Sequence, residues 1–185
     1  IERIEIAGGT MPQEKVLDNV MKADSDKIML TLEAIDRNAF GVAVEDILSA
    51  ENVYVVGVRS CAPLALFLGY YLKLVRKGVI QVVSTNTSEI FEQMIHVSAK
   101  DVVIGISFPR YSMKTLKAME FANDRNAKVI TITDSKHSPM NMYSSCNLFA
   151  RSDMASIVDS LVAPLSVINA LIVACCLKCN EEVIH

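Results

Sequence analysis

The sequence predicts an α/β fold, a three-layer αβα sandwich around a five-stranded parallel sheet that is preceded by N-terminal helices. Short runs of β-branched residues alternate along the chain with segments of helical periodicity, which is the pattern of βαβ units. These runs are apolar at consecutive positions, so helices must cover both faces of the sheet. Right-handed crossovers between such strands give an arrangement that is flavodoxin-like in general form.

The elements follow from the local pattern. Residues 13–36 carry apolar side chains at helical spacing, and Asp24-Ser-Asp26 either breaks this segment or caps a second helix. Asn38 is a predicted N-cap of a helix that ends near Ala50, and Ser112 is the predicted N-cap of a later helix. The alternating part comprises strands at 53–56, 79–83, 102–106, 128–132 and 146–150 and helices at 61–76, 88–97 and 112–125. A turn or short helix at 140–145 precedes the fifth strand, and a long apolar helix is predicted at 157–179.

Length and charge limit the classes of function. The 185 residues fit one domain with a sizeable core, since 51% of them are apolar. The net charge is −3 and there is no long basic run, which argues against a grip on nucleic-acid phosphates. There is no tryptophan and only 6% of the residues are aromatic, so a stacking platform for single strands is not expected either.

The cysteines indicate a reducing compartment. There are five, an odd number at spacings that form no disulfide framework: Cys61, Cys146, Cys175, Cys176 and Cys179. We therefore predict a cytoplasmic protein. Cys176 and Cys179 have the spacing of half a zinc site, but no second pair lies nearby and the three histidines are scattered. Buried helical thiols are the simpler interpretation, and neither a metal nor a cofactor is predicted.

Two terminal features bear on the context of the chain. The apolar run 161–177 is of marginal length for a membrane span and contains Pro164, Ser166 and Asn169, so a core or interface helix is predicted rather than membrane association. The sequence begins with Ile rather than Met, and its opening residues, through Thr10, resemble the tail of an upstream region. We expect the chain to be part of a longer protein.

Hydroxyl-rich loops follow four of the predicted strands. They are Gly57–Ser60, Ser84–Ser88, Ser107–Ser112 and Thr133–Ser135. Because the carboxyl ends of parallel strands meet at one edge of a sheet, these hydroxyls should share one rim, together with two arginines. Hydroxyls and helix N-terminal N–H groups satisfy phosphate oxygens without a metal, so the rim suits a small polyhydroxylated anion. The alternative is that these residues only cap the following helices, which is the better explanation for any single loop but a weaker one for four.

Two of these segments resemble a known family. Val-Gly-Val-Arg-Ser-Cys-Ala-Pro at 56–63 resembles the first loop of sugar isomerase (SIS) domains, and Gly-Ile-Ser-Phe-Pro-Arg-Tyr-Ser-Met-Lys-Thr at 105–115 resembles their third loop. With Lys-Val-Ile-Thr-Ile-Thr-Asp at 128–134, the order is similar to that of the SIS domain in RpiR-type bacterial transcriptional regulators. The resemblance covers about residues 13–180. It implies that 1–50 are linker helices after a missing helix-turn-helix region, and that 51–185 form the phosphosugar-binding domain.

The resemblance also implies a ligand set, with two departures. The usual first loop has a second glycine where this chain has Arg59, and the usual third loop is Ser-x-Ser-Gly, whereas here Phe108-Pro-Arg-Tyr111 separates two serines. The arginines either add charge for phosphate binding or occlude a smaller pocket. The predicted ligand-binding residues are Arg59, Ser60, Ser84, Thr85, Ser107, Arg110 and Ser112.

The sequence is compatible with two functions. The first is a cytoplasmic, non-enzymatic sensor of a phosphosugar in a DNA-binding regulator of carbohydrate metabolism, with DNA bound only by the absent N-terminal domain. The alternative is a phosphosugar aldose–ketose isomerase, which needs a general base. Glu89, Glu92, His96 and His137 are the candidates, and Glu92 and His96 are expected one helical turn apart. The helix dipole explains Glu89 and His96 without catalysis, and a solvated helix face explains Glu92. No acid–base pair is fixed by spacing, which favours the sensor. The sequence does not distinguish among hexose phosphates, amino-sugar phosphates and sugar acids as the ligand. It also does not indicate whether the ligand induces or relieves repression.

We also predict a homodimer or tetramer. The helical segments 13–48 and 157–179 carry more apolar surface than one five-stranded sheet can cover, and surfaces of that kind mark interfaces.

Overall fold

A computed structural model describes residues 12–84, 86–153 and 159–184 of the chain. The helices and strands are α1 Val16–Ala34, α2 Arg37–Ser49, β1 Val53–Gly57, α3 Ala62–Val75, β2 Val79–Val82, α4 Thr87–Gln93, β3 Val102–Ile106, α5 Met113–Asn123, β4 Lys128–Thr133, β5 Cys146–Phe149 and α6 Val162–Ile184. Short 3₁₀ turns lie at Gln13–Lys15, Arg59–Cys61 and Pro139–Tyr143. The predicted alternation of strands and helices is confirmed.

The five strands form one parallel sheet in the order β2-β1-β3-β4-β5. Val56 of β1 is in register with Val82 of β2 on one side and with Gly105 of β3 on the other. This order is the flavodoxin-like one, so the predicted fold class is confirmed. All strands point the same way, and the loops after them therefore leave from one edge of the sheet.

Helices cover both faces, as the unbroken apolar runs require. On one face, α2, α3 and α6 bury residues such as Ile47, Leu68 and Leu171 in a first core. On the other face, α4 and α5 bury residues such as Ile90 and Met119 in a second core. The sheet thus separates two hydrophobic clusters that lie back to back.

The N-terminal helices correct two expectations. Helix α1 is uninterrupted through Asp24-Ser-Asp26, where a break or a new cap was predicted. The Asp24 carboxylate has an ion-pair partner within the helix, since it lies 3.6 Å from Lys27 Nζ one turn further on. The N-cap of α2 is Asp36 rather than Asn38, because Asp36 Oδ1 accepts the backbone N–H groups of Asn38 and Ala39 at 2.8 and 3.0 Å.

Helix α6 begins at Val162, later than the predicted start at 157. Residues 157 and 158 lie outside the described residues, and 159–161 precede the helix. The stretch Val162–Asn180 has the length and composition of a membrane-spanning helix, a property that core helices share. Here the helix packs against α1, α2 and α3, and its Ile168, Leu171 and Cys175 are fully buried. This packing agrees with the predicted role as a core helix.

Candidate ligand-binding site

A crevice opens where the direction of winding changes. The helix after β1, α3, packs in the first core, whereas the helix after β3, α5, packs in the second. Because β1 and β3 are neighbours, their following loops diverge and leave a gap above the sheet edge. Ligands of doubly wound folds bind at this topological switch point.

The gap is a cleft of ≈ 140 Å³ between the loop after β1 and the loop after β3. We call these the first loop, residues 58–61, and the third loop, residues 107–112. The cleft brings together five of the seven predicted residues: Arg59, Ser60, Ser107, Arg110 and Ser112. A ligand in this space would meet hydroxyls and guanidinium groups from both sides.

Each of the two loops is anchored in both cores. In the first loop, Val58 is buried in the second core and Cys61 in the first. In the third loop, Phe108 is buried in the first core, and Tyr111 packs against the second. Between these anchors only the tips of the loops are exposed. The loops are therefore held rigidly over the sheet edge, with two short tips facing the cleft.

Both arginines occupy backbone conformations that favour glycine. Arg59 has φ 58° and Arg110 has φ 67°. The left-handed region costs a residue with a side chain about 1–2 kcal/mol. Arg59 thus adopts a left-handed conformation at the position where the resemblance leads us to expect glycine. Non-glycine residues held in this region cluster at ligand sites.

The hydroxyls of the third loop organise its backbone. Ser107 Oγ accepts the backbone N–H of Ser112 at 3.0 Å, and Ser112 Oγ accepts the N–H of Thr115 at 3.3 Å. Ser112 is thus the N-cap of α5, as predicted. A hydroxyl that accepts a hydrogen bond still carries a hydrogen of its own to donate. The capping role and a ligand role are therefore compatible for both serines.

Polar neighbours that the sequence did not point out surround the third loop. Tyr111 donates its phenol O–H to Asp134 Oδ1 at 2.7 Å, and burial together with this carboxylate raises the pKa of the Tyr111 phenol. Arg110 forms an ion pair with Asp159, which precedes α6. Asp134 directly follows β4 in a loop that sequence analysis had identified, whereas no local signal marks Asp159.

The second loop forms a separate site. Ser84 lines an adjoining cavity of ≈ 120 Å³ between β1 and β2, which Arg59 also lines. Its hydroxyl donates to Glu89 Oε2 at 2.6 Å and accepts the backbone N–H of Asn86 at 2.8 Å. A carboxylate therefore already holds this hydroxyl, and contact between Ser84 and a ligand stays a prediction. Thr85 lies outside the described residues.

The candidate acid–base residues lie away from the cleft. Helix α4 ends at Gln93, so His96 is beyond the helix and is not paired with Glu92 by helical spacing, contrary to expectation. Glu92, His96 and His137 are exposed, and none of them is among the described residues that line the cleft. The thiol of Cys61 does line it, but burial raises the pKa of that thiol, which keeps it protonated at neutral pH.

Among residues 12–84, 86–153 and 159–184, no group of three or more His, Cys, Asp or Glu side chains could hold a metal ion. The chemistry that the cleft offers is hydrogen bonding and positive charge.

Comparison with known proteins identifies the family. The family model of the SIS domain matches residues 46–174. The chain belongs to the SIS domain family. The domain's structure is similar to that of the sugar isomerase domain of an RpiR transcription factor from Sphaerobacter thermophilus, with a TM-score of 0.86 and 25% identity over 92% of this chain and 94% of that one.

Two further proteins are similar to this chain. The NanR protein of Vibrio vulnificus, solved in complex with ManNAc-6P, has a TM-score of 0.77 and 19% identity, covering 98% of this chain and 72% of that one; this likeness shows the fold alone. Glutamine–fructose-6-phosphate aminotransferase [isomerizing] of Pyrobaculum aerophilum is 29% identical over 57% of this chain, which spans 17% of that protein's length. Proteins similar to this chain thus include a transcription factor and an enzyme named for fructose 6-phosphate.

Proposed function

We propose that this chain is the phosphosugar-sensing domain of a cytoplasmic, DNA-binding transcriptional regulator of carbohydrate metabolism. The observation that carries the proposal is the cleft at the switch point, where two hydroxyl-bearing loops and two arginines converge. Phosphate oxygens are strong acceptors, and an arginine binds them with charge-assisted hydrogen bonds. The ligand set is Arg59, Ser60, Ser107, Arg110 and Ser112, with Ser84 and Thr85 as second-loop candidates.

A sensor fits the cleft better than an isomerase. An isomerase must move a proton between adjacent sugar carbons, which needs a base within hydrogen-bond reach of the substrate. Among the described residues that line the cleft there is neither a glutamate nor a histidine. Because an isomerizing enzyme is similar to this chain, phosphosugar isomerase is the second candidate function. Conversion of fructose 6-phosphate by this chain, lost on Glu92→Gln, would replace the sensor with the isomerase.

The binding test compares phosphorylated and neutral sugars. A ligand that binds only the folded state stabilises it by about 2.7 kcal/mol at a hundredfold excess over Kd, which corresponds to a rise of about 5–10 °C in Tm for a chain of this size. We expect such a rise with ManNAc-6P or fructose 6-phosphate, and none with N-acetylmannosamine or fructose. Equal shifts with the neutral sugars would contradict the anion site.

Ser107→Ala tests the site itself. Loss of one hydrogen bond to a charged oxygen weakens binding by about 1.5–3 kcal/mol, or roughly tenfold to a hundredfold in Kd. The matched control is Ser49→Ala, because Ser49 is exposed and lines a cavity at the opposite edge of the sheet. The control should bind as the wild type does. Equal weakening in both variants would show that the effect is not local to the cleft.

We further propose that the chain is a homodimer or tetramer. Helix α1 leaves apolar side chains in solvent, with Leu17 and Met21 more than 60% exposed. Leu74 of α3 and Leu177 of α6 are exposed to a similar degree. Contact with another copy would cover such surfaces. Light scattering at micromolar concentration should give at least twice the monomer mass, and a monodisperse monomer would contradict this.

The DNA-binding role belongs to the whole protein. With a net charge of −3, the chain itself is expected not to bind DNA. The regulator proposal predicts that the full-length protein binds an operator and that a phosphosugar changes its affinity, by a population shift between two arrangements of the attached domains. Operator binding that ignores ManNAc-6P, fructose 6-phosphate and other sugar phosphates would remove the support for a sensor.

A further inference from the structure

One arginine of the cleft has a protein counter-ion. The Arg110 guanidinium is about half exposed and forms an ion pair with the carboxylate of Asp159, whose side chain is 18% exposed. Burial mainly, and the charge of Asp159 to a smaller extent, raise the pKa of the Cys61 thiol, which also lines the cleft. The Asp159 carboxylate therefore lies close to the cleft. A ligand anion that reaches for Arg110 would therefore meet a negative charge already in place.

The residue after Asp159 contacts α1. Ser160 Oγ donates a hydrogen bond to Asp24 Oδ1 at 2.5 Å. On the same face of α1, one and two turns further on, Lys27 is 6% exposed and Thr31 Oγ1 accepts the backbone N–H of Arg151 at 3.0 Å. Polar contacts thus connect Arg151, shortly after β5, and Ser160, shortly before α6, to the helix that precedes the sandwich.

We propose that Asp159 competes with the ligand anion for Arg110, and that its displacement transmits occupancy of the cleft to α1 through Ser160 and Asp24. This inference rests on the proposed function of the cleft. It assigns a role in ligand discrimination to Asp159, a residue outside the predicted ligand set.

The competition favours a phosphate over weaker ligands. A competing ion pair with a half-exposed arginine lowers the affinity for a ligand by only about fivefold or less. A phosphate that makes bidentate, charge-assisted bonds to the guanidinium outweighs this contact, whereas a neutral sugar has nothing to exchange for it. Once Arg110 turns to the phosphate, the Asp159 carboxylate gives up its contact with this guanidinium and is repelled by the ligand. Because Ser160 is the adjacent residue, the contact with Asp24 must adjust.

The first experiment measures affinity. Inorganic phosphate and ManNAc-6P are titrated calorimetrically into the wild-type chain and into Asp159→Asn, which keeps the shape of the side chain but removes its charge. We expect binding of both probes to tighten about two- to fivefold in Asp159→Asn. Asp153→Asn is the matched control, because it removes a charge that pairs with Arg151 in the same connection. Unchanged or weaker binding by Asp159→Asn, or equal tightening in both variants, would overturn the competition.

The second experiment follows α1. Amide hydrogen exchange is measured over Val16–Ala34 with and without saturating ManNAc-6P or phosphate. We expect ligand to raise the exchange rate at least twofold around Asp24. Ser160→Ala should raise it without ligand, remove the further effect of ligand, and leave Kd within twofold of wild type. Exchange in α1 that is unaffected by a bound ligand would overturn the transmission step.

The outcomes separate the inference from the function on which it rests. If neither phosphate nor ManNAc-6P binds the wild-type chain, both the proposed anion site and the role of Asp159 are wrong. If a probe binds and Ser107→Ala weakens it, while Asp159→Asn binds as the wild type does and α1 is unaffected, the anion site stands and only the inference fails.

Discussion

Replacing Arg59 with glycine is expected to stabilise the fold while it weakens ligand binding. Arg59 has φ 58°, a conformation that costs a residue with a Cβ atom about 1–2 kcal/mol. Glycine removes this cost. It also gives the unfolded chain more freedom, which lowers the free energy of unfolding by about 0.4–1 kcal/mol. The balance is a gain of about 0.5–1 kcal/mol in the free energy of unfolding, or roughly 1–4 °C in Tm for a chain of this length.

Arg59→Ala separates the two effects. Alanine removes the guanidinium but keeps the Cβ, so its backbone strain should remain and its stability should fall about 1 kcal/mol below that of Arg59→Gly. Both variants should bind ManNAc-6P more weakly than the wild type, and to a similar extent, because both lack the charge. Urea unfolding measures the first difference and calorimetry the second.

Two results would refute this reasoning. If Arg59→Gly is less stable than Arg59→Ala, the left-handed conformation is not a source of strain at this position. If both variants bind the phosphosugar as tightly as the wild type does, the strain does not serve recognition. Arg110→Gly should be nearly neutral in stability, because the relief at φ 67° is offset by loss of the ion pair with Asp159, worth about 0.2–1 kcal/mol.

Further predictions concern the frame around the site. Gly57→Ala should destabilise the chain by about 1–3 kcal/mol in urea unfolding, because its Cβ would lie 2.7 Å from the Cys61 carbonyl oxygen. Gly41→Ala should instead stabilise it by up to about 1 kcal/mol, because Gly41 is an exposed helix position with nothing within 4 Å of the added Cβ. Equal effects of the two substitutions would contradict the close approach at Gly57. Burial raises the pKa of Cys175 from 9.0 to about 12, so the stability that the protonated thiol carries is complete below pH 9 and is lost as the pH rises towards 12. The urea midpoint should therefore fall more steeply between pH 8.5 and about pH 10.5 in the wild type than in Cys175→Ala, and parallel curves would show that this thiol does not titrate as proposed.

The fold could be predicted because its signals are local. Each strand is a short β-branched run that is flanked in sequence by helical segments. The helical crossovers between them imply that the strands run parallel. The N-cap at Ser112 was visible for the same reason, since a cap is made within three residues. The break expected at Asp24 was wrong because a partner in the same helix and one in the distant connection satisfy the carboxylate.

The site was predictable in position but not in its electrostatics. Hydroxyls and arginines at the ends of the strands are visible in the sequence, and parallel strands bring them to one edge. The pair of Arg110 with Asp159 joins residues 49 positions apart, and no periodicity encodes such a contact. Likewise, the bond between Ser84 and Glu89 depends on the way α4 starts, which the hydroxyl pattern alone does not specify.

The double anchoring of the two loops has a consequence for how this domain diversifies. Four side chains hold the two loops against the cores: Val58, Cys61, Phe108 and Tyr111. Selection for folding therefore acts on these four positions. The exposed tips, Arg59-Ser60 and Pro109-Arg110, contribute little to either core, so the main limit on their identity is the left-handed backbone of the two arginines. On the proposed function, a change of ligand would therefore need substitutions only at the tips, with the four anchoring residues unchanged.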